Sequence, residues 1–250
     1  MVIACSETFH MPDLKQLNLR RLIFKLGWET STRNRDVARV ICPLLAPNDT
    51  ILDAGSGYYG IRTFLPGLNV VSLDINFVEN KVLQADLTRL PFSDEQFRLT
   101  TCIDVLELLS PAEREQALGE LVRVTREALC VAFPTGSTAR QADEAFRQML
   151  ARMRKAEPVW LGEHLHNPYP DVEWFTRASR SAAQTLGRTV VDVRILYSEN
   201  IRVSRFIRFL AARSGRLSIV GNLICGALHA FIPKPGWNNS YRAIILVRFG

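Results

Sequence analysis

Two carboxylates and two glycines at fixed spacing are the residues of this 250-residue chain best suited to bind a ligand. Asp53 ends an apolar run that begins at Thr50, and Gly55 and Gly57 follow it directly. Glycines at such a turn let the backbone approach a ligand closely, because no Cβ intervenes. A second apolar run ends at Asp74, whose carboxylate can accept hydrogen bonds from both hydroxyls of a ribose. The spacing therefore predicts a nucleoside pocket between two buried strands.

The glycine pattern alone fits more than one cofactor. With Gly60 it also satisfies the dinucleotide fingerprint, which has an acidic residue about 20 positions further on. A nicotinamide-binding unit, however, usually opens its domain, whereas here about fifty residues precede the glycines. Such a unit also usually carries a small or apolar residue where this chain has Asp53. Both differences favour another adenosine-containing cofactor.

Motifs downstream of the glycines point to one family. Gln84-Ala85-Asp86-Leu87 and Leu90-Pro91-Phe92 are followed by a predicted strand, Leu99 to Ile103, that runs into Asp104-Val105-Leu106-Glu107. With these motifs, residues 50–134 resemble the class I S-adenosylmethionine-dependent methyltransferases, in particular the group that acts on small molecules, lipids and sugars. The rest of the chain resembles them loosely. The resemblance implies an α/β fold with a Rossmann-like, doubly wound, seven-stranded sheet whose last strand is antiparallel.

The resemblance also implies which residues bind S-adenosylmethionine. Asp53 and the glycine loop would hold the methionine end, Asp74 the ribose, and Asp86 with the Leu87 amide the adenine. Ile103 and Asp104 would lie beside the methyl donor. The predicted cofactor-binding residues are Asp53, Gly55, Ser56, Gly57, Asp74, Ile75, Asp86, Leu87, Ile103 and Asp104.

The chain departs from the family pattern at two places. Tyr59 stands where the third glycine usually falls, with Gly60 one place later. After the fourth strand many relatives have Glu-His, whereas this chain has Glu107-Leu108, so any role of that histidine is absent. These departures keep open a catalytically silent protein that binds the cofactor or acts as a scaffold. An NAD(P)-dependent oxidoreductase is the third alternative.

Apolar spacing and turn signals predict the elements around this site. A capping box, Ser110-Pro111-Ala112-Glu113, starts a helix that runs to about Glu127. The other predicted elements are helices at Leu17 to Lys25 and Arg35 to Leu45, and strands at Ala128 to Phe133, Thr189 to Tyr197 and Arg242 to Phe249.

Residues 135–186 form an insertion in which we expect acceptor specificity to lie. A polar helix is predicted over Arg140 to Lys155, and an irregular loop over Trp160 to Pro170. Glu163 or His164 on this loop could serve as a base for a hydroxyl group. Asp104 is the third candidate catalytic residue. The alternative is a proline-rich loop whose aromatic side chains anchor it to the core and whose histidines lie in water.

Composition predicts one domain over residues 1–250, with 47% hydrophobic residues. Its parts are leading helices (1–49), a cofactor half (50–134), the insertion (135–186) and C-terminal strands (187–250). Five scattered cysteines without a CxxC pair indicate a reducing, cytoplasmic compartment, and no zinc-ligand spacing appears, so we expect no metal. The net charge of +6 permits contact with nucleic acid without showing it.

The predicted acceptor is not a nucleic acid. Asn167-Pro168-Tyr169 is similar to the motif of methyltransferases that act on base amino groups, but it lies about sixty residues beyond the fourth strand, where those enzymes carry it. We therefore expect methyl transfer to an oxygen or nitrogen of a small molecule, a sugar or a lipid-linked glycan.

Residues 201–233 combine five arginines with sixteen uncharged residues, 217–232. Sixteen residues fall short of the roughly 20 that a membrane-spanning helix needs. Two alternatives stay open. The segment binds an anionic membrane surface, or it packs on the sheet or on a second copy of the chain.

Overall fold

The computed structural model describes residues 28–57, 60–76, 82–212 and 236–250. The helices in these ranges are α1 (Trp28–Ile41), α2 (Pro111–Val124), α3 (Gly136–Arg152), α4 (Val159–His166), α5 (Val172–Thr185) and α6 (Ile201–Ala212). The strands are β1 (Thr50–Ala54), β2 (Asn69–Asp74), β3 (Val82–Gln84), β4 (Phe97–Ile103), β5 (Thr125–Pro134), β6 (Val190–Asn200) and β7 (Ser240–Phe249).

The strands form one seven-stranded sheet in the order β3-β2-β1-β4-β5-β7-β6. The first five strands are parallel, and β7 lies antiparallel between β5 and β6. The predicted doubly wound sheet with an antiparallel last strand is confirmed. β5 and β7 are buried along most of their length. This explains why each reads as a continuous apolar run in place of an alternating one.

Helices cover both faces of the sheet. On one face α2 and α5 pack through Leu118, Leu121 and Phe175, and on the other α1 packs through Val37 and Ile41. Because parallel strands place their carboxyl ends at one edge, the loops after β1, β2 and β4 meet there. The fold thereby gathers residues 53–57, 74–76 and 103–109.

The predicted capping box at the start of α2 is present in both directions. The Ser110 amide donates to Glu113 Oε2 at 3.0 Å, and the Glu113 amide donates to Ser110 Oγ at 3.4 Å. The predicted end of this helix at Glu127 is wrong, because β5 already begins at Thr125. The buried Thr125 hydroxyl bonds to Thr100 Oγ1 at 2.7 Å and to the Leu121 carbonyl at 2.6 Å, which fixes the change from helix to strand.

The prediction of an irregular loop over Trp160 to Pro170 is wrong in its first part, because Val159–His166 forms helix α4. Pro158 precedes the helix with φ −65°, and Leu161 and Leu165, four positions apart, are buried against Leu150. Residues four apart share one helix face. The prolines on either side of this short apolar stripe led to the prediction of a loop.

Two other predictions fall partly or wholly outside the described residues. The leading helix at Leu17 to Lys25 and the uncharged run 217–232 lie there, and of residues 201–233 the structure describes only α6. The second leading helix begins earlier than predicted, at Trp28, and gives way at Ile41 to a 3-10 turn that contains Pro43. Within the described ranges, the structure has no helix long and apolar enough to cross a membrane.

Candidate functional site

A cavity of about 450 Å³ opens at the carboxyl ends of β1, β2 and β4. All ten residues that the sequence predicts to bind the cofactor line it. The structure thus brings the predicted set together in one place, and their binding of the cofactor stays a prediction. The remaining lining residues are Thr30, Arg33, Asn34, Gly60, Asn76, Val105, Leu108, Leu109 and Glu163.

The Asp53 carboxylate lies at the floor of the cavity and is almost completely buried. Its Oδ2 accepts a hydrogen bond from the Ile61 amide at 2.8 Å, and its Oδ1 accepts one from Thr101 Oγ1 at 3.0 Å. Burial raises the pKa of Asp53 to about 6, although these two hydrogen bonds lower it. Asp53 therefore titrates above the ordinary range of an aspartate but is still mostly ionised at neutral pH.

Gly60 makes room for this carboxylate. A Cβ on Gly60 would lie 2.0 Å from Asp53 Oδ2 and 2.7 Å from Ser56 Cβ. A side chain here would displace Asp53 or break its bond to Ile61. Tyr59 lies outside the described residues, so the predicted departure at that position is untested, but the need for a glycine at the next position has a clear physical cause.

Gly55 and Gly57 shape the loop between β1 and the cavity. Both have left-handed φ values, +75° and +55°, which favour glycine. A Cβ on Gly55 would lie 2.2 Å from Val105 Cγ2, whereas nothing lies within 4 Å of a Cβ position on Gly57. Because Gly57 lines the cavity, that open space is where a ligand would approach the backbone.

Two further carboxylates are oriented by backbone amides. Asp74 Oδ2 accepts from the Gly57 amide at 2.8 Å, and its Oδ1 accepts from the Asn76 amide at 2.9 Å. Asp86 Oδ1 accepts from the Thr88 amide at 2.8 Å. These bonds hold both side chains at the cavity wall, with the distances expected for charge-assisted hydrogen bonds.

Asp104 is held by two arginines. Its carboxylate forms an ion pair with Arg33 of α1 and accepts two hydrogen bonds from Arg242 of β7, at 3.0 and 2.6 Å. Burial alone would raise the pKa of Asp104, but Arg242 and Arg33 outweigh it and lower that pKa. Asp104 also has a left-handed φ of +55°, a backbone strain that concentrates at functional sites. Its position suits a site residue, and its low pKa makes it a poor proton acceptor.

Comparison with known proteins agrees with this geometry. Residues 52–131 match the family model described as a methyltransferase domain. A SAM-dependent methyltransferase from Archaeoglobus fulgidus has the same fold, with a TM-score of 0.54 and 16% identity over 92% of this chain and 98% of its own. A SAM-dependent methyltransferase from Thermotoga maritima gives a TM-score of 0.55 with 12% identity over 92% of this chain and 91% of its own. No curated protein sequence matches the chain.

Residues 52–131 therefore carry a methyltransferase domain, and the sheet has the class I methyltransferase fold. Both of these solved structures are of SAM-dependent methyltransferases, for which S-adenosylmethionine is the methyl donor. The lining of the cavity fits this cofactor, because four of the predicted cofactor residues are carboxylates, whereas Arg33 is the one basic residue among the described residues that line it. A sulfonium cation is stabilised by nearby negative charge. The residues that would hold the cofactor are those predicted from the sequence, and the glycine at position 57 leaves the backbone open to it.

Glu163 and His164 are neighbours on α4 but point to different surroundings. Glu163 is exposed and lines the methyltransferase cavity. His164 is 8% exposed and lies between two carboxylates, with Nε2 3.7 Å from Glu107 Oε1 and Nδ1 3.5 Å from Asp143 Oδ2. The alternative that the histidines lie in water is therefore wrong for His164. Of the two candidate bases, the structure brings only Glu163 to the cavity.

Glu107 is a residue that the sequence did not single out for chemistry. It is fully buried, and neither carboxylate oxygen has a hydrogen-bond partner within the described part of the chain. Burial, with the nearby charge of Asp104, raises the pKa of Glu107 to about 8. His164 approaches this carboxylate from α4, so a histidine does face Glu107, although it comes from another element than in the family pattern.

Asp143 of α3 joins the elements of the insertion. It is fully buried and accepts hydrogen bonds from Tyr169 at 2.5 Å and Tyr241 at 2.8 Å, and it pairs with Arg208 of α6. Burial would raise its pKa, but His164, Arg208 and the two tyrosines lower the pKa of Asp143 to about 2. This carboxylate is therefore charged at neutral pH.

Sequence reasoning also missed the residues of α1 and β7 at the site. Thr30, Arg33 and Asn34 lie three and four positions apart and line the cavity from one face of α1. That spacing is a signal that could have been found. No such signal marks Arg242 in the sequence, because its partner Asp104 is 138 positions away in the chain.

Proposed function

We propose that this protein transfers the methyl group of S-adenosylmethionine to an oxygen or nitrogen atom of a small acceptor that is not a nucleic acid, such as a sugar or a lipid-linked glycan. The observation that carries the proposal is the joint lining of one cavity by all ten predicted cofactor residues and by a second group from other elements. The second group, Thr30, Arg33, Asn34, Leu108, Leu109 and Glu163, would receive the acceptor.

Positioning is the main contribution that these residues would make to the reaction. The bound cofactor supplies an activated methyl group, whose in-line displacement demands little acid or base chemistry of the protein. Holding two reactants at attack distance can supply about 7–11 kcal/mol of the barrier. Asp53 and Asp74 would fix one partner, while α1 and the turn at Leu108 and Leu109 would confine the other and exclude water.

Glu163 is the residue best placed to accept a proton from the acceptor. It faces the cavity, and no ion pair or hydrogen bond holds its carboxylate among the described residues. Asp104 is neutralised by two arginines, and His164 is enclosed between Glu107 and Asp143. A hydroxyl or an ammonium group of an acceptor could therefore donate to Glu163. His164 would position α4 through its contacts in the core.

Cofactor binding tests the first half of the proposal. In calorimetry the protein should bind S-adenosylmethionine or its demethylated product and should ignore NAD and NADP. Asp74→Ala should weaken binding by roughly 1.5–3 kcal/mol, because it removes charge-assisted hydrogen bonds to the ribose. Asp192→Ala, on the exposed part of β6, removes a carboxylate outside the cavity and should bind like the wild type. Tight NAD binding without a response to S-adenosylmethionine would overturn the assignment.

Methyl transfer tests the second half. Incubation of the protein and labelled donor with small-molecule and glycan extracts should yield a labelled product that mass spectrometry identifies. Glu163→Gln should lower turnover at least tenfold, within the usual contribution of a general base, and leave cofactor affinity unchanged. Glu115→Gln, exposed on α2, is the matched control. Cofactor binding with no product from any acceptor would instead favour a catalytically silent relative.

A further inference from the structure

A second cleft, of about 360 Å³, lies between α3 and α6 and shares no residue with the cofactor cavity. Arg152 of α3 and Arg205 and Arg208 of α6 line it, with Phe146 and Met149 among its apolar residues, and none of its lining residues in the described part of the chain is acidic. The cleft is therefore a cationic site next to apolar surface, and the proposed methyl transfer makes no use of it.

The three arginines of the cleft have different roles. Arg208 is buried, pairs with Asp143, and lies over the rings of Tyr241 at 4.5 Å and Trp160 at 5.3 Å. Arg208 is therefore part of the core and is not available to a lipid headgroup. Arg152 and Arg205 are exposed, and neither has a carboxylate partner within the described ranges. Two positive charges are therefore available to a ligand.

Helix α6 presents a mixed basic and apolar surface. Ser204 and Arg208 face inward, whereas Arg202, Arg205 and Phe206 are exposed, with 56% of Phe206 accessible. Arg202 stands in the first turn of α6, where a cation opposes the helix dipole. The stability of α6 therefore does not explain why an arginine stands at position 202. Exposed arginines beside an exposed aromatic ring are typical of helices that lie at a membrane surface.

The end of α3 adds charge to the same face. Arg152 lies in its last turn, and the exposed Arg154 and Lys155 follow directly. Cations at a helix C-terminus are favoured by the dipole, which alone would explain them. Arg152, however, also lines the cleft with Arg205, so it extends the positive surface of α6. Each basic residue close to a membrane surface adds to the attraction of anionic lipid.

We propose that the α3–α6 face, made of Arg152, Arg202, Arg205 and Phe206, binds the anionic headgroups of a membrane surface. A lipid phosphate would lie in the cleft between the Arg152 and Arg205 guanidinium groups, and the Phe206 ring would enter the interface. The charge of the cleft selects an anion, and the exposed ring beside it favours a lipid over a soluble phosphate. This inference is independent of the acceptor that the cavity methylates.

Sedimentation of the full chain with vesicles tests the proposal. The protein should bind vesicles of phosphatidylcholine that contain phosphatidylglycerol, should not bind phosphatidylcholine alone, and should be released as salt rises. Arg152→Gln with Arg205→Gln should lower partitioning about 25-fold, at about fivefold for each arginine. Arg177→Gln with Arg180→Gln, exposed on α5, makes the same change in net charge and should lower it far less. Phe206→Ser should weaken binding several-fold without removing the salt dependence.

Three outcomes would overturn the proposal. One is absence of vesicle binding at low salt. Another is an equal loss in the α5 control, which would indicate attraction by net charge alone. The third is binding of glycerol phosphate or an RNA oligonucleotide through Arg152 and Arg205 without binding of vesicles. Thermal unfolding of each variant checks that these exposed substitutions leave the fold intact.

Discussion

The cofactor cavity and the insertion hold their carboxylates in different ways. Asp53 and Asp74 accept hydrogen bonds from amides and a hydroxyl within 50 positions of them in the chain. Asp143 of the insertion is instead held by Arg208, Tyr169 and Tyr241, of which Tyr241 lies 98 positions away. Asp53 and Asp74 are oriented mostly by backbone amides that lie near them in the chain, whereas Asp143 ties distant elements together.

This difference separates ligand binding from structural integrity. Burial raises the pKa of Asp53 to about 6, although the Ile61 amide and the Thr101 hydroxyl lower it, and Asp53 lines the cavity. Asp143 has no such opening, because Arg208, Tyr169 and Tyr241 enclose it. Removing one member of a buried ion pair leaves an uncompensated charge, which costs far more than losing a neutral hydrogen bond. We therefore expect substitutions in the two regions to fail for different reasons.

The largest effect should come from removing the charge of Asp143. Asp143→Asn should lower the free energy of unfolding by about 3–5 kcal/mol, because Arg208 would remain buried without a counter-charge. Asp53→Asn keeps an acceptor for Ile61 or Thr101 and should cost only about 1 kcal/mol. Urea unfolding followed by circular dichroism measures both. Equal losses in the two variants would show that the contrast between the two regions is false.

The features that could be predicted from the sequence are mostly those that depend on residues close together in the chain. The sheet, the glycine loop and the ten cavity residues could be predicted, because their signals lie within short stretches of chain. The end of α2 at Val124 could not, because it depends on the buried contact of Thr125 with Thr100 in the neighbouring strand. Helix α4 was concealed by prolines on either side of it.

Contacts between residues far apart in the chain could not be predicted from the sequence. No local pattern links Arg242 to Asp104, or Arg208 to Asp143, because the sheet and helices must first form to bring them together. For the same reason, a role of His164 in the core rather than in the cavity could not be read from its neighbours. The two adjacent residues Glu163 and His164 point to opposite surroundings once α4 is helical.

The raised pKa of Glu107 makes the stability of the protein depend on pH. This pKa, about 8 in the folded protein, lies above the ordinary value of 4.5. The folded state therefore binds a proton that the unfolded state has lost, and stability falls as pH rises through about 8. His164, whose pKa is also raised, contributes stability at low pH that is lost as pH rises through its folded pKa. Both groups act in the same direction.

Glu107→Gln should remove much of this alkaline loss. The wild type should lose about 2–3 kcal/mol through Glu107 between about pH 6 and pH 8.5, and the variant should lose correspondingly less. Unfolding free energies at several pH values measure the two slopes. Glu127→Gln, which lies at the surface beside Arg98, serves as the control. Parallel slopes in wild type and Glu107→Gln would mean that Glu107 is already ionised at pH 6.

The smallest expected change tests the cofactor cavity through its glycines. Gly60→Ala should lower stability by roughly 1–2 kcal/mol, because its Cβ would overpack against the Asp53 carboxylate. It should also abolish measurable S-adenosylmethionine binding, since Asp53 would move. Gly119→Ala places the same methyl group in the middle of α2 with nothing within 4 Å, and should stabilise by about 0.5–1 kcal/mol. Calorimetry and thermal unfolding of these two variants distinguish a general effect of losing a glycine from an effect of the close approach of Gly60 to Asp53. Normal cofactor binding by Gly60→Ala would remove Asp53 from the cofactor site, because the carboxylate could not keep its present position.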